Sequence, residues 1–437
     1  MITSFALTHS YKQANLRLLA TRTCLLLLAL VSLAIAAPAQ VRSRIAASID
    51  DNRTPIRGNI HPLARKASDA GEVAASMPLQ RITLMFNRTA EQQADLQALL
   101  RDQQDRSSPS FHKWLTPAQY ATRFGLGEGD LNKVTGWLEN QGLKVVERGR
   151  SRTYVAFSGT ASQIRAAFGT EIHQYRVGGK THFANASEPS LPAALASVTL
   201  GFRALNNFRP NPKAIRIRKR STLRPEFTSS ISGNHFITPD DFATLYGLKP
   251  LYDKGIDGTG QTLAIMGQTD IVQSDLQMFR SVSGLPANPV QVVLVTGSPD
   301  PGVISDDIGE ANLDLEWAGA VARNASLIYV NSDNGVFDSM QYAIDQNLAP
   351  VISISYGDCE QNFSTTELNS LTTMLQQANA QGITVVAPTG DSGAADCDYP
   401  LSSSQTVTSA THGLAVDAPA SLPYVTAVGG TDRKSVV

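Results

Sequence analysis

The spacing of apolar and polar positions changes character part-way along this chain. From residue 78 to residue 205 the patterns are short and mixed. Residues 81–86 alternate as a strand does, and 90–100 and 131–141 carry apolar side chains at helical spacing. Residues 143–147 and 153–157 read as strands, and 161–168 as a further helix. Such interleaving predicts an α+β domain. From about residue 237, near-continuous apolar runs take over at 262–266, 290–295, 327–330, 351–354 and 384–387. Amphipathic helices over 272–282, 310–322, 337–346 and 365–380 separate them. That alternation predicts an α/β domain, a parallel sheet covered on both faces, with chemistry gathered at the carboxyl ends of its strands.

A basic, proline-containing stretch over residues 206–234 joins the two. It holds Arg209, Lys213, Arg216, Arg218, Lys219, Arg220 and Arg224 among Pro210, Pro212 and Pro225. It has too little apolar surface to fold alone and reads as a solvated tether or a processing site. At the other end, Lys12, Arg17 and Arg22 precede an apolar run over 25–36, followed by Ala37-Pro38-Ala39-Gln40. That order is a secretory signal, and the run is short for a membrane span. The predicted organisation is a signal peptide over 1–39, an N-terminal extension over 40–77, the α+β domain over 78–205, the linker over 206–234, and the parallel-sheet domain over 235–437. The expected location is secreted, periplasmic or extracellular, with no membrane attachment after signal cleavage.

Composition changes this picture little. Of 437 residues, 42% are hydrophobic and 17% charged, as in a globular protein with a real core. A formal net charge of −1 argues against nucleic acid or anionic lipid as an obligatory partner. With Cys24 inside the signal, Cys359 and Cys397 remain, either as a disulfide or as two buried thiols. Three Cys and seven His show no metal-ligand spacing, so no zinc site is expected.

Candidate chemistry lies in carboxylates. Glu310 and Asp314 stand four residues apart in a predicted helix and therefore share one face. Two acids stacked there repel, and sharing a proton raises one pKa. A second acidic motif, Gly390-Asp391-Ser392-Gly393, follows the strand at 384–387. Other short patterns fit less well. Gly255-Ile256-Asp257-Gly258-Thr259-Gly260 precedes a strand rather than opening a helix, so it reads as a turn. Ser392 as nucleophile would need a histidine base, and past the linker only His235 and His412 are available. An arrangement with Asp270 and His412 as triad members would need a histidine in the helix of Glu310, and none is there. Peptide hydrolysis through an acyl-enzyme needs a nucleophile, a base and an oxyanion donor. In acid a carboxylate base still works where a histidine is protonated. Glu310 is then the base, Asp314 its orienting partner, and Asp391 a protonated donor to the oxyanion.

At this level of detail the chain resembles the sedolisin family, the serine-carboxyl peptidases, preceded by a pro-kumamolisin-type activation domain. In the front domain the likeness rests on Asp102-Gln103-Gln104-Asp105, the run Ser108-Pro109-Ser110-Phe111-His112-Lys113-Trp114-Leu115-Thr116-Pro117, Phe157-Ser158-Gly159-Thr160 and Ala167-Phe168-Gly169-Thr170. Further on it rests on the run from Gly258 to Ile265, Glu310-Ala311-Asn312-Leu313-Asp314, Ser353-Ile354-Ser355-Tyr356-Gly357, the Asp391 motif and Val428-Gly429-Gly430-Thr431. The resemblance implies a subtilisin-like catalytic domain behind a ferredoxin-like propeptide that blocks the cleft and is cut away in acid. It assigns Ser355, Tyr356 and Gly357 to the substrate cleft. It implies protein or peptide substrates and a monomer. The family's nucleophilic serine sits in a Gly-Thr-Ser motif near the C-terminus, with a calcium site later still. Neither element occurs here, and Ser435 lies in no such context. The expectation is a zymogen with an incomplete catalytic domain, inactive as it stands. The alternative is a non-catalytic secreted inhibitor or binding protein.

Overall fold

The structure is a computed structural model that describes residues 43–45, 48–212, 227–228, 235–398 and 409–430. The expected signal peptide, the linker cations beyond Arg209 and Ser435 lie outside these residues.

In the front domain, strands β1 (Arg53–Pro55), β2 (Asp69–Glu72) and β3 (Pro78–Phe86) come first. Helices α1 (Ala90–Asp102), α2 (Pro117–Phe124) and α3 (Glu128–Asn140) lead to β4 (Lys144–Arg148) and β5 (Tyr154–Thr160). Then follow α4 (Ala161–Phe168), β6 (Ile172–Val177), β7 (Lys180–Asn185), β8 (Ser190–Pro192) and β9 (Thr199–Arg203). Thr89, Thr116 and Thr160 start α1, α2 and α4 with capping boxes closed by Gln92, Gln119 and Gln163. The main sheet is antiparallel in the order β4-β5-β3-β9, the strand order of a ferredoxin-like domain. One face carries Ile82, Leu84, Val155 and Phe157 against Leu131, Val134 and Leu138 of α3 and Ile164 and Phe168 of α4. The stretch before residue 78 is not a separate extension. Ile45, Ile56 and Val73 enter the same core, β1 pairs with β8, and β2 pairs with β6.

Short strand β10 (Asn211–Pro212) leaves the front domain, and β11 (Phe227–Thr228) pairs with β12 (His235–Phe236). Helix α5 (Pro239–Leu245) opens the second domain. Then come β13 (Thr262–Gly267), α6 (Gln273–Val282), β14 (Gln291–Leu294), α7 (Ile308–Val321) and β15 (Ser326–Asn331). Helix α8 (Val336–Gln346), β16 (Val351–Ser353), β17 (Tyr356–Cys359), α9 (Thr365–Ala380), β18 (Thr384–Pro388), β19 (Asp417–Ala418) and β20 (Thr426–Val428) complete it. Six strands form a parallel sheet in the order β14-β15-β13-β16-β18-β20. Met266, Val330, Ile352 and Val385 pack on Met340, Ile344 and Leu375 of α8 and α9. On the opposite face, Ile265, Leu327 and Tyr329 pack on Leu276 of α6 and on Ala311 and Leu315 of α7. Both faces are thus covered, as the apolar strand runs require. Among the described residues no helix is long and apolar enough to cross a membrane.

The front domain lays its remaining sheet face on α8 and α9. Buried Arg81 meets Asp338 at 2.8 Å and Glu147 at 2.6 Å. The carboxylate of Asp345 accepts the backbone N–H groups of Arg150 and Ser151. Trp114 covers Gly382, where a Cβ would lie 2.5 Å from the indole. Beside it the Leu115 N–H donates to the Ala380 carbonyl. Part of the run 108–117 is therefore docking surface.

Candidate active site

Helix α7 positions two acids because Ala311 and Leu315 anchor it to the sheet. Glu310 lies buried in its first turn, where the positive end of the helix dipole favours a carboxylate. One turn later, Asp314 Oδ1 accepts a 2.6 Å hydrogen bond from the Ser355 hydroxyl, just past β16. Its Oδ2 is buried and has no hydrogen-bond partner among the described residues. Burial pushes the Asp314 carboxyl up to about 7, although the Ser355 hydrogen bond pulls the other way.

Beside Ser355, Tyr356 has a fully buried ring. Burial first, then the charges of Asp307, Tyr329, Glu310 and Asp314, hold its hydroxyl well above the usual phenol range. Tyr356 therefore lies in the field of the carboxylates on and just before α7. Asp307 was not legible as part of this group. It precedes α7, accepts from Gln268 Nε2 at 3.0 Å, and is raised by burial.

Asp391 follows β18, the sheet neighbour of β16, so both Asp391 and Ser355 come after the carboxyl ends of adjacent strands. Gly390 before it adopts φ +73°, and a Cβ there would lie 2.9 Å from buried Asp396. Only glycine makes that turn without strain, and it leaves Asp391 exposed. Cys359 and Cys397 form a disulfide that ties the end of β17 to the loop after Asp391. His412 pairs with Asp398 at 2.6 Å on the surface. The Thr411 hydroxyl, with His412, holds Asp398 down to about 2. Among the described residues no group of three or more His, Cys, Asp or Glu is placed to share a metal ion.

Strand β17 is engaged on both edges. On one edge β19 pairs with it. Along the other, β10 runs antiparallel, with Asn211 opposite Gly357 and Pro212 opposite Tyr356. Gln268 Nε2 donates to the Pro210 carbonyl at 3.2 Å, and Arg209 pairs with Asp333 at 2.7 Å. Phe208 is stacked between His61 and His182, with ring centroids 4.2 and 4.3 Å away. Residues 206–212 are thus a docked segment and not a solvated tether. They line a cavity of about 1270 Å³ that also contains Asp307 and Glu310.

Comparison with known proteins finds similarity in both domains. Residues 65–208 match the pro-kumamolisin activation domain, and residues 307–436 match the subtilase family. The front domain is thus similar to a pro-kumamolisin activation domain, and the parallel-sheet domain to the subtilase family. This is the pairing predicted from the sedolisin resemblance. The chain is 26% identical to sedolisin of Pseudomonas sp. (strain 101) over 382 residues, which cover 84% of it and 62% of sedolisin. It is 26% identical to kumamolisin of Bacillus sp. (strain MN-32), over 87% of this chain and 67% of kumamolisin. Human tripeptidyl-peptidase 1 is 27% identical over 81% of the chain and 62% of its own length. The solved structure of Pseudomonas sedolisin, a serine-carboxyl proteinase complexed with pseudo-iodotyrostatin, matches 44% of this chain and 53% of that chain at 27% identity and a TM-score of 0.36. Glu310, Asp314 and Asp391 lie in the subtilase-like part, and the segment that follows the pro-kumamolisin-like part crosses β17.

Proposed function

We propose that this chain is the zymogen of a secreted, acid-acting serine-carboxyl endopeptidase. One observation carries the reading: the segment 209–212 ends in a short strand, Asn211–Pro212, that pairs antiparallel with Gly357 and Tyr356 and lines the cavity that contains Glu310. A polypeptide held by its backbone along a cleft strand is the pose a peptide substrate takes.

In this reading Glu310 withdraws the proton of a hydroxyl nucleophile as that oxygen attacks the substrate carbonyl. Asp314 orients Glu310 and carries a proton below about pH 7. Asp391, through the neutral form of its carboxyl that alone can donate, gives a hydrogen bond to the oxyanion. Glu310 then returns the proton to the leaving amine. The activation domain occupies the cleft until the linker is cut.

The test uses protein extended to the full length of its relatives. Glu310→Gln is expected to lower kcat at least about a thousandfold at acid pH, because a general base and its proton return are lost together. Retained turnover would reject Glu310 as the base.

A further inference from the structure

The cavity around the docked segment has walls of opposite charge. Its acidic side chains, Asp306, Asp307, Glu310, Asp338, Asp358 and Glu367, all come from the peptidase domain. Its lysine and arginine side chains, Lys180, Arg203 and Arg209, all come from the activation domain and the segment that leaves it. Several meet directly: Lys180 reaches Asp306 at 3.2 Å, and Arg203 reaches Asp338 at 3.5 Å. Among the described residues the peptidase domain adds no cation to the lining. Withdrawal of the activation domain therefore leaves an acidic wall, and an incoming polypeptide must supply the positive charge.

The docked segment shows where that charge belongs. Pro212 faces Tyr356, and three residues upstream Arg209 Nη2 meets Asp333 Oδ1 at 2.7 Å. Buried Asp307 also interacts with the Arg209 charge. Asp333 does not depend on the linker for its place. Its backbone N–H donates to Ser298 Oγ at 2.9 Å, and that hydroxyl also accepts from Ser332. The Asp333 backbone is thus anchored within its own domain, without the docked segment.

We propose that Asp333, backed by Asp307, determines specificity for a basic side chain three residues upstream of the substrate residue that faces Tyr356. The proposal rests on the peptidase reading above, and it names the substrate class as peptides with an arginine or lysine at that position. The pair is partly exposed, with side-chain exposures of 27% and 38%. Its contribution is therefore modest, and discrimination between arginine and glutamate is about five- to tenfold once like-charge repulsion is included.

The test measures kcat/KM of the processed, full-length enzyme on peptides built on the order Arg209-Pro210-Asn211-Pro212. The first position is varied through Arg, Lys, Ala and Glu. Arg and Lys are expected to exceed Ala, and Ala to exceed Glu. Asp333→Asn should bring the Arg-to-Glu ratio close to one, and Asp333→Lys should invert it. Ratios are taken within one enzyme, so a partly misfolded variant does not distort them. Equal rates for Arg and Glu in the unaltered enzyme would overturn the subsite and leave the peptidase reading standing. If no peptide is cleaved, the peptidase reading fails and the zymogen decides the subsite. Arg209→Glu and Asp333→Arg should each speed amide exchange over residues 207–212, and the double charge reversal should restore protection. Failure to restore it would overturn the recognition itself.

Discussion

Asp314 shows how burial sets the titration of one carboxyl. Its folded pKa of about 7 lies above the ordinary aspartate value of 3.8. Protonation therefore favours the folded form. This contribution is complete below about pH 4 and is lost as the pH rises through 7, where the buried group must ionise. Asp314→Asn keeps the shape and removes the titration. It is expected to leave stability nearly unchanged at pH 4 and to raise it by about 2–4 kcal/mol at pH 8. Urea unfolding at the two pH values checks this. A variant no more stabilising at pH 8 than at pH 4 would show that Asp314 is not the buried acid described here. Near pH 5 the fold still keeps Asp314 neutral, at a cost of about 1–2 kcal/mol relative to pH 4 and below, which is less than the full cost above pH 7.

At the scale of elements, β3 and helix α8 carry the docking of the two domains. Arg81 stands at a bulge in β3, with φ 51°, so its side chain turns out of the strand alternation toward α8. There it is fully buried between Glu147 and Asp338. Arg81→Met removes the cation and leaves two buried acids. A loss of about 3–5 kcal/mol is expected by urea unfolding. Arg81→Met with Glu147→Gln and Asp338→Asn should recover most of it, because the uncompensated charges are gone. The strands at 262–266 and 384–387 and the helix at 365–380 were readable because each buries a whole apolar face. The β6–β7 hairpin was not read, since its exposed Gln174, Arg176 and Lys180 break any simple period. Strand β10 could not be read at all. Asn and Pro have little strand propensity, and the pairing with β17 makes them a strand.

At the scale of the whole molecule, the histidines stacked on Phe208 are expected to make docking of the segment sensitive to acid. Burial raises the Glu147 carboxyl, so protonation there favours the folded form. His61 and His182 have the opposite sign. Burial lowers both below 6.5, although Glu367 and Asp358 partly offset this at His61. The undocked state then takes up protons more readily, and docking weakens as the pH falls below about 6.5. Acidification from pH 7 to pH 5 should speed proteolytic cutting of the linker. His61→Phe with His182→Phe keeps the stack around Phe208 and removes the titration, so the acceleration should shrink about three- to tenfold. Limited proteolysis followed by mass spectrometry measures both rates. An unchanged pH response in the double variant would assign acid sensitivity elsewhere.

Local pattern determined the two-domain order, the parallel sheet, and the placing of Glu310 and Asp314 on one helical face. Those follow from periods of two and 3.6 residues, which any stretch of ten or so residues displays. The partners of these residues came only from tertiary structure. Ser355 reaches Asp314, Arg209 reaches Asp333, and Phe208 enters a histidine sandwich because the sheet order and the docked front domain bring distant segments together. No local spacing encodes such an approach. The sequence names the acids, and the fold sets which of them is buried enough to hold a proton.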